Sequence, residues 1–191
     1  MNITTEQIFD HARTHNAFTD EPVPEATLRQ VYELMKWGPT SANCSPARLI
    51  FIKTPEAKSK LLECMGPGNV DKTRSAPVTA IVGMDMMFFD KLPQLFPHAD
   101  ARAWFVGKQP LIDATAFRNS SLQGAYMMVA ARALGLDCGP MSGFDAAKVD
   151  AAFWAGTQVK TNFICNLGHG KADALFDRSP RLSFEEACQI V

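Results

Sequence analysis

No C-x-x-C pair occurs in this 191-residue chain, and its five cysteines (Cys44, Cys64, Cys138, Cys165, Cys188) are odd in number and widely scattered. The pattern argues against a disulfide framework and for reduced, mostly buried thiols in a reducing compartment. The four histidines (His11, His15, His98, His169) lack H-x-x-x-H and H-E-x-x-H spacing, so no metal site is expected. No apolar run approaches the roughly 18 residues that span a bilayer. The opening residues, Met1-Asn2-Ile3-Thr4-Thr5-Glu6, lack the basic-then-apolar order of a secretory signal. Charge of neither sign dominates: 19 Lys and Arg face 20 Asp and Glu, and a net charge of −1 gives no electrostatic case for nucleic acid or anionic membrane. Missing too is a G-x-G-x-x-G between a strand and a helix, so nothing marks a Rossmann site for a nicotinamide. A cytoplasmic protein with a small-molecule partner, and no nucleic acid or membrane partner, is the expectation.

Hydrophobic residues at 47% and charged residues at 20% are ordinary globular values, and the length suits one domain over residues 1–191. Helices and short strands alternate along it. Thr4-x-x-Gln7 resembles a capping box for a short helix ending near Arg13. Pro24 and Glu25 open a second helix, in which Leu28, Val31, Tyr32 and Met35 recur at helical spacing, and Gly38-Pro39 stops it. Arg48 to Lys53 reads as a strand. Thr54-Pro55 caps a helix through Leu61 and Leu62, and Gly66 to Asn69 reads as a loop. Pro77 to Met84 is an apolar run, expected as a strand buried on both faces. The Phe-rich, Pro-broken stretch 85–107 suits either a lid or helical excursion beside a ligand, or an extra piece of core.

Asp113 to Leu134 reads as the longest helix. Phe117, Leu122, Ala125, Met128 and Val129 leave it little polar face, which predicts a central, buried position. Asp145 caps a helix through Trp154, Lys160 to Leu167 reads as the last strand, and Ser183-x-x-Glu186 is a capping-box signature near the end. Between them lies the most informative run, Leu134 to Asp145. A short extended stretch there meets Pro140-Met141-Ser142-Gly143, a turn stripped of bulk, where peptide N–H groups can approach a flat ligand. Read alone, the same run is simply a helix C-cap, a strand and an N-cap.

Four segments in this order resemble the FMN-dependent nitroreductase family over essentially the whole chain: Arg13-Thr14-His15-Asn16, Gly38 to Arg48, the turn at 140–143, and Arg178-Ser-Pro-Arg181. The strings Met35 to Arg48, Ala116 to Ser121 and Pro180 to Ala187 are most similar to its RutE-type branch, the malonic semialdehyde reductases of pyrimidine breakdown. The resemblance implies an α+β, nitroreductase-like fold: a mixed, mainly antiparallel sheet flanked by helices, in a homodimer with FMN at the interface. It implies that Arg13, Thr14, His15 and Asn16, with Arg181, hold the FMN phosphate. A dianion suits guanidinium and hydroxyl donors. Ala12 and Asn16 stand where the family usually carries basic residues, and Arg178 is a substitute cation.

By the same match Pro39, Thr40, Ser41 and Asn43 line the flavin, partly from the neighbouring subunit. Met141, Ser142 and Gly143 lie against its central ring, with a backbone N–H directed at N5. No side chain need act as acid or base, because the flavin carries the hydride. NADPH or NADH is the expected co-substrate in a ping-pong cycle. For malonic semialdehyde a cation should hold the carboxylate, and Arg48, Arg74, Arg102 and Arg118 are the candidates. The alternatives are a quinone, nitroaromatic or enone reductase of the same family, and a flavin-binding redox sensor without turnover. A hydrolase built on Cys44 is a distant further reading.

Overall fold

The computed structural model describes residues 3–191. A π-helical turn, Glu6–Asp10, comes first, with the Gln7 N–H donating to Thr4 Oγ1 at 3.2 Å. It ends three residues short of the expected Arg13. Then come α1 (Glu25–Met35), β1 (Ala47–Ile52), α2 (Pro55–Leu62), α3 (Val70–Ser75), β2 (Val78–Asp85) and a short α4 (Leu92–Leu95). The chain continues through α5 (Gln109–Ala133), β3 (Asp137–Met141), α6 (Ala146–Phe153), β4 (Val159–Gly168) and α7 (Phe184–Ala187). The strands form one sheet in the order β1-β2-β4-β3, every neighbouring pair antiparallel. The expected parallel component reduces to one bridge, Thr14 to Cys138 on the outer side of β3.

Local chemistry sets most of these ends. Thr54 accepts from the Ala57 N–H and Asp145 from the Lys148 N–H, each relieving an orphan donor of a helix first turn. Ser183 and Glu186 form the complete reciprocal box at α7. α5 begins four residues before the expected Asp113. Pro110 lies in its first turn, where a missing N–H costs nothing. Beyond Gly66 the expected loop becomes a 3-10 turn that runs directly into α3.

β2 is the spine and is buried on both faces, as its apolar run predicts. Val78, Ala80 and Val82 pack with Leu28, Val31 and Met35 of α1 and Met127 and Ala131 of α5. On the other face Ile81 meets Leu61 of α2, Val149 of α6 and Ile164 of β4. The result is a three-layer sandwich, helix–sheet–helix. The 85–107 stretch is a helical excursion with its own core, in which Phe88, Phe89, Leu92 and Phe105 join Ile112, Ala116 and Cys44. The segment is thus both helical and a piece of core.

α5 corrects one expectation. Its inward face carries Ile112, Ala116, Asn119, Gln123, Met127 and Ala131, whereas Phe117 (58%) and Leu122 (45%) are exposed, and Ala125 with them. A helix apolar all round has no polar face to show which side turns inward. Among the described residues no helix is long and apolar enough to cross a membrane.

Candidate functional site

Residues 13–16 run beside β3. The Thr14 bridge to Cys138 and the His15 N–H to the Cys138 carbonyl (3.0 Å) fix that alignment. A Cβ at Gly139 would fall 2.5 Å from the His15 carbonyl oxygen, so only glycine lets the two backbones approach this closely. His15 turns inward. Its Nε2 lies 3.3 Å from Asp137 Oδ1, while Asp137 Oδ2 accepts the Gly170 N–H at 2.8 Å. Its buried Nδ1 has no partner among the described residues. Thr14 is exposed, Arg13 and Asn16 half-buried. Arg13 donates to the Phe176 carbonyl, and Arg178 donates to the Asp10 (2.6 Å) and Ala12 (3.1 Å) carbonyls. Within one chain, therefore, Arg178 is the C-terminal arginine drawn to this segment. Arg181 donates to Ser179 and Pro180 in its own tail.

β3 delivers the chain to Met141, Ser142 and Gly143. Two partners clamp this turn through the Gly143 carbonyl: the Gly66 N–H at 2.9 Å and Asn69 Nδ2 at 3.0 Å. A Cβ on Gly143 would lie 2.6 Å from Asn69 Nδ2. Ser142 and Gly143 are exposed, and neither N–H has an acceptor among the described residues. From the Thr14 partner Cys138 to Ser142 is four strand residues, ~13 Å. A cationic and hydroxyl-bearing segment and a pair of free peptide donors thus lie one mononucleotide's length apart. That donor set fits an anion at one end and an acceptor-edged ring at the other. Asn69 and α3, which brace the turn, escaped the sequence reading, because Gly66-Pro67-Gly68 announces only a loop.

Pro39, Thr40, Ser41 and Asn43 lie elsewhere, in the loop that feeds β1. Thr40 Oγ1 accepts from the Ser45 N–H (3.2 Å), Asn43 Nδ2 donates to the Leu95 carbonyl (2.9 Å), and the Ser41 N–H donates to Asn119 Oδ1 (2.8 Å). Pro39, Thr40 and Asn43 help line a groove of about 1650 Å³ between α1 and β1, with Trp37, Arg48 and Gln123. β1 and β3 are opposite edges of the sheet, three strand spacings or ~14 Å apart. One chain does not bring this loop and the Ser142–Gly143 turn together.

The four arginine candidates separate on their partners. Arg48 pairs with Asp85 at 2.6 Å and also donates to the Ser45 and Ala47 carbonyls. Arg74 pairs with Asp71 at 3.6 Å, and Arg102 with Asp90 at 2.8 Å while lying over the Phe89 ring. Arg118 is exposed on α5 and has no carboxylate partner among the described residues. Burial pushes the Cys44 thiol up to about 11, and no histidine among the described residues hydrogen-bonds it. A thiol held protonated is a poor nucleophile, so the hydrolase reading falls away.

An α+β sandwich with free peptide donors at one sheet edge and a cationic segment beside them has the donor set that a nucleotide cofactor requires. Residues 10–169 match the profile of the nitroreductase family, and the chain belongs to that family. It is 58% identical over 186 residues to a Polynucleobacter asymbioticus protein named "Putative NADH dehydrogenase/NAD(P)H nitroreductase", spanning 97% of this chain and 95% of that one. Its fold is similar to that of a "putative nitroreductase in complex with FMN" from Exiguobacterium sibiricum, with a TM-score of 0.85 at 18% identity over 100% and 99% of the two chains. A gut-bacterial enone reductase of fatty acid saturation matches at a TM-score of 0.86, with 15% identity over 100% and 99%.

Proposed function

We propose that this protein is an FMN-dependent NAD(P)H oxidoreductase that works as a homodimer and reduces a small aldehyde, malonic semialdehyde, to its alcohol, 3-hydroxypropionate. One observation carries the reading: free N–H donors at Ser142 and Gly143 stand ~13 Å along β3 from the Thr14 bridge, with Arg13 just beyond it. The curated relative's name and the FMN complex of the structural neighbour support it.

Bound FMN would supply hydride exchange between NADPH or NADH and the acceptor. This chain's part is to hold and orient. Arg13, Thr14 and Arg178 hold the phosphate, with Asn16 and Arg181 at its margin. His15 anchors the segment through Asp137. The Ser142 and Gly143 N–H groups would donate to the acceptor edge of the ring, and Met141 ties the turn to the core on the α2 and α6 side. Pro39, Thr40, Ser41 and Asn43 close the site from the second subunit. The separation of the two half-sites supports that dimer. So does the apolar surface left open by Trp37 (78% exposed), Phe117, Leu122 and Tyr126.

Of the four arginine candidates Arg118 alone has no carboxylate partner among the described residues, and the substrate carboxylate is assigned to it. A neutral acceptor (quinone, nitroarene or enone) is the second reading, favoured by the ion pairs that already occupy Arg48, Arg74 and Arg102. The deciding experiment is an absorbance spectrum of the purified protein before and after NADPH without air, then steady-state turnover on malonic semialdehyde and on a quinone. Flavin bands that bleach, followed by multiple turnovers, are expected. Bleaching without turnover would indicate a sensor. A colourless protein that takes up no added FMN would end the flavin reading.

A further inference from the structure

We propose that Asn119 and Gln123, two buried amides one helical turn apart on α5, are positioning residues that set the shape of the Thr40–Ala47 loop. The inference deepens the proposed function, because this loop is the one assigned to the flavin there. The loop is costly in itself: Ala42, Asn43 and Ser45 have φ of +48°, +51° and +39°, the left-handed region that side-chain-bearing residues avoid. Three such residues within four positions persist only where the surroundings over-determine them.

The constraint comes from α5. The Ser41 N–H donates to Asn119 Oδ1 and the Ala47 N–H to Gln123 Oε1, each at 2.8 Å, so the loop is pinned at both ends. Asn119 Nδ2 donates to the Thr115 carbonyl at 2.8 Å, which fixes the amide with its oxygen facing the loop. Between the pins the chain folds on itself, with the Asn43 N–H on the Thr40 carbonyl and the Cys44 N–H on the Ser41 carbonyl, both at 3.0 Å. Asn119 is fully buried and Gln123 nearly so, on the helix face that also carries Ala116 and Met127. Polar amides in such company need partners, and the loop N–H groups supply them. Because Asn119 takes the backbone of Ser41, the exposed Ser41 side chain stays free for a ligand.

Cys44 provides a readout independent of any flavin. It belongs to the loop itself and is buried against the core of the 85–107 excursion, whereas Cys188 is exposed. In a Cys188→Ser background, with FMN supplied to every protein, the variants are Asn119→Leu, Gln123→Met and Asn119→Asp. Loss of one buried pin should raise the labelling rate of Cys44 by a thiol reagent about tenfold, located by mass spectrometry. The visible circular dichroism of bound flavin should change in the same variants. Asn119→Asp adds a pH signature. Protonated, the carboxyl can accept from Ser41 and donate to Thr115; ionised, it loses the donation and repels that carbonyl. Its Cys44 labelling should match the parent protein at acid pH and rise as the carboxyl ionises, whether or not Asn119→Leu folds. Labelling that stays at the parent rate in all three variants, across pH, would overturn the inference. A parent protein that never binds FMN, yet shows the labelling changes, would instead remove the flavin reading and leave the loop assignment standing.

Discussion

Lys58 of α2 is a half-buried cation with no counterion among the described residues, and its replacement by methionine tests the electrostatics of the sheet's α2 face. Its Nζ donates to the Thr73 carbonyl (3.1 Å), the Ala76 carbonyl (2.9 Å) and Thr79 Oγ1 (2.8 Å), with no carboxylate within ion-pair range among the described residues. Burial pushes its pKa down from 10.5 to about 8. Below about pH 8 both the folded and the unfolded chain hold the proton, so no slope arises. Between about 8 and 10.5 the unfolded chain keeps a proton that the folded one has released, and stability rises with pH. The full rise is about 3 kcal/mol. Lys58→Met strands the two carbonyls at the end of α3, roughly 1–3 kcal/mol each, but removes the desolvated charge, so the difference near neutrality is small.

The pH dependence of that difference is therefore the diagnostic. Cys44, raised to about 11, contributes an opposite slope above its ordinary 9, and this cancels because both proteins carry it. Urea unfolding of wild type and variant, stepped from about pH 7 to about pH 10.5, should show wild type gaining about 3 kcal/mol on the variant. Curves that stay parallel throughout would refute the reasoning and imply an unrecognised partner for the ammonium.

Phe88→Ala, deep in the separate core of the 85–107 excursion, should cost about 3–5 kcal/mol. Because Asn43 Nδ2 binds the Leu95 carbonyl of that excursion, flavin affinity, read by fluorescence quenching, should fall as well. Gly170→Ala would place a Cβ 1.8 Å from His15 Nδ1, so the ring must leave Asp137; a loss of about 1–3 kcal/mol in thermal unfolding and weaker FMN retention are expected, and an unchanged variant would show that His15 does not anchor residues 13–16.

What could be read from the sequence was what local chemistry decides. Thr54, Asp145 and the Ser183–Glu186 pair start their helices where their side chains satisfy first-turn N–H groups, and the β2 run needs no context to be a buried strand. α3 was not legible, because no apolar period marks Val70 to Ser75; Lys58, distant in sequence, holds its last carbonyls. Nor did α5 reveal its inward face. Phe117 and Leu122 look as core-like as Met127, and burial of Asn119 and Gln123 depends on a loop some eighty residues earlier. The site segments were recognisable by resemblance, but their distribution over the two sheet edges follows from the strand order β1-β2-β4-β3, which no local pattern encodes.

That distribution has a genetic consequence. In the proposed dimer each flavin is served by the Ser142–Gly143 edge of one subunit and the Pro39–Asn43 loop of the other. A variant damaged only in the loop and a variant damaged only in the turn are each inactive alone. Mixed within one dimer, they concentrate both lesions in a single site and leave the other site intact. Two dead proteins unfolded and refolded together therefore regain activity, while two loop variants treated the same way stay silent.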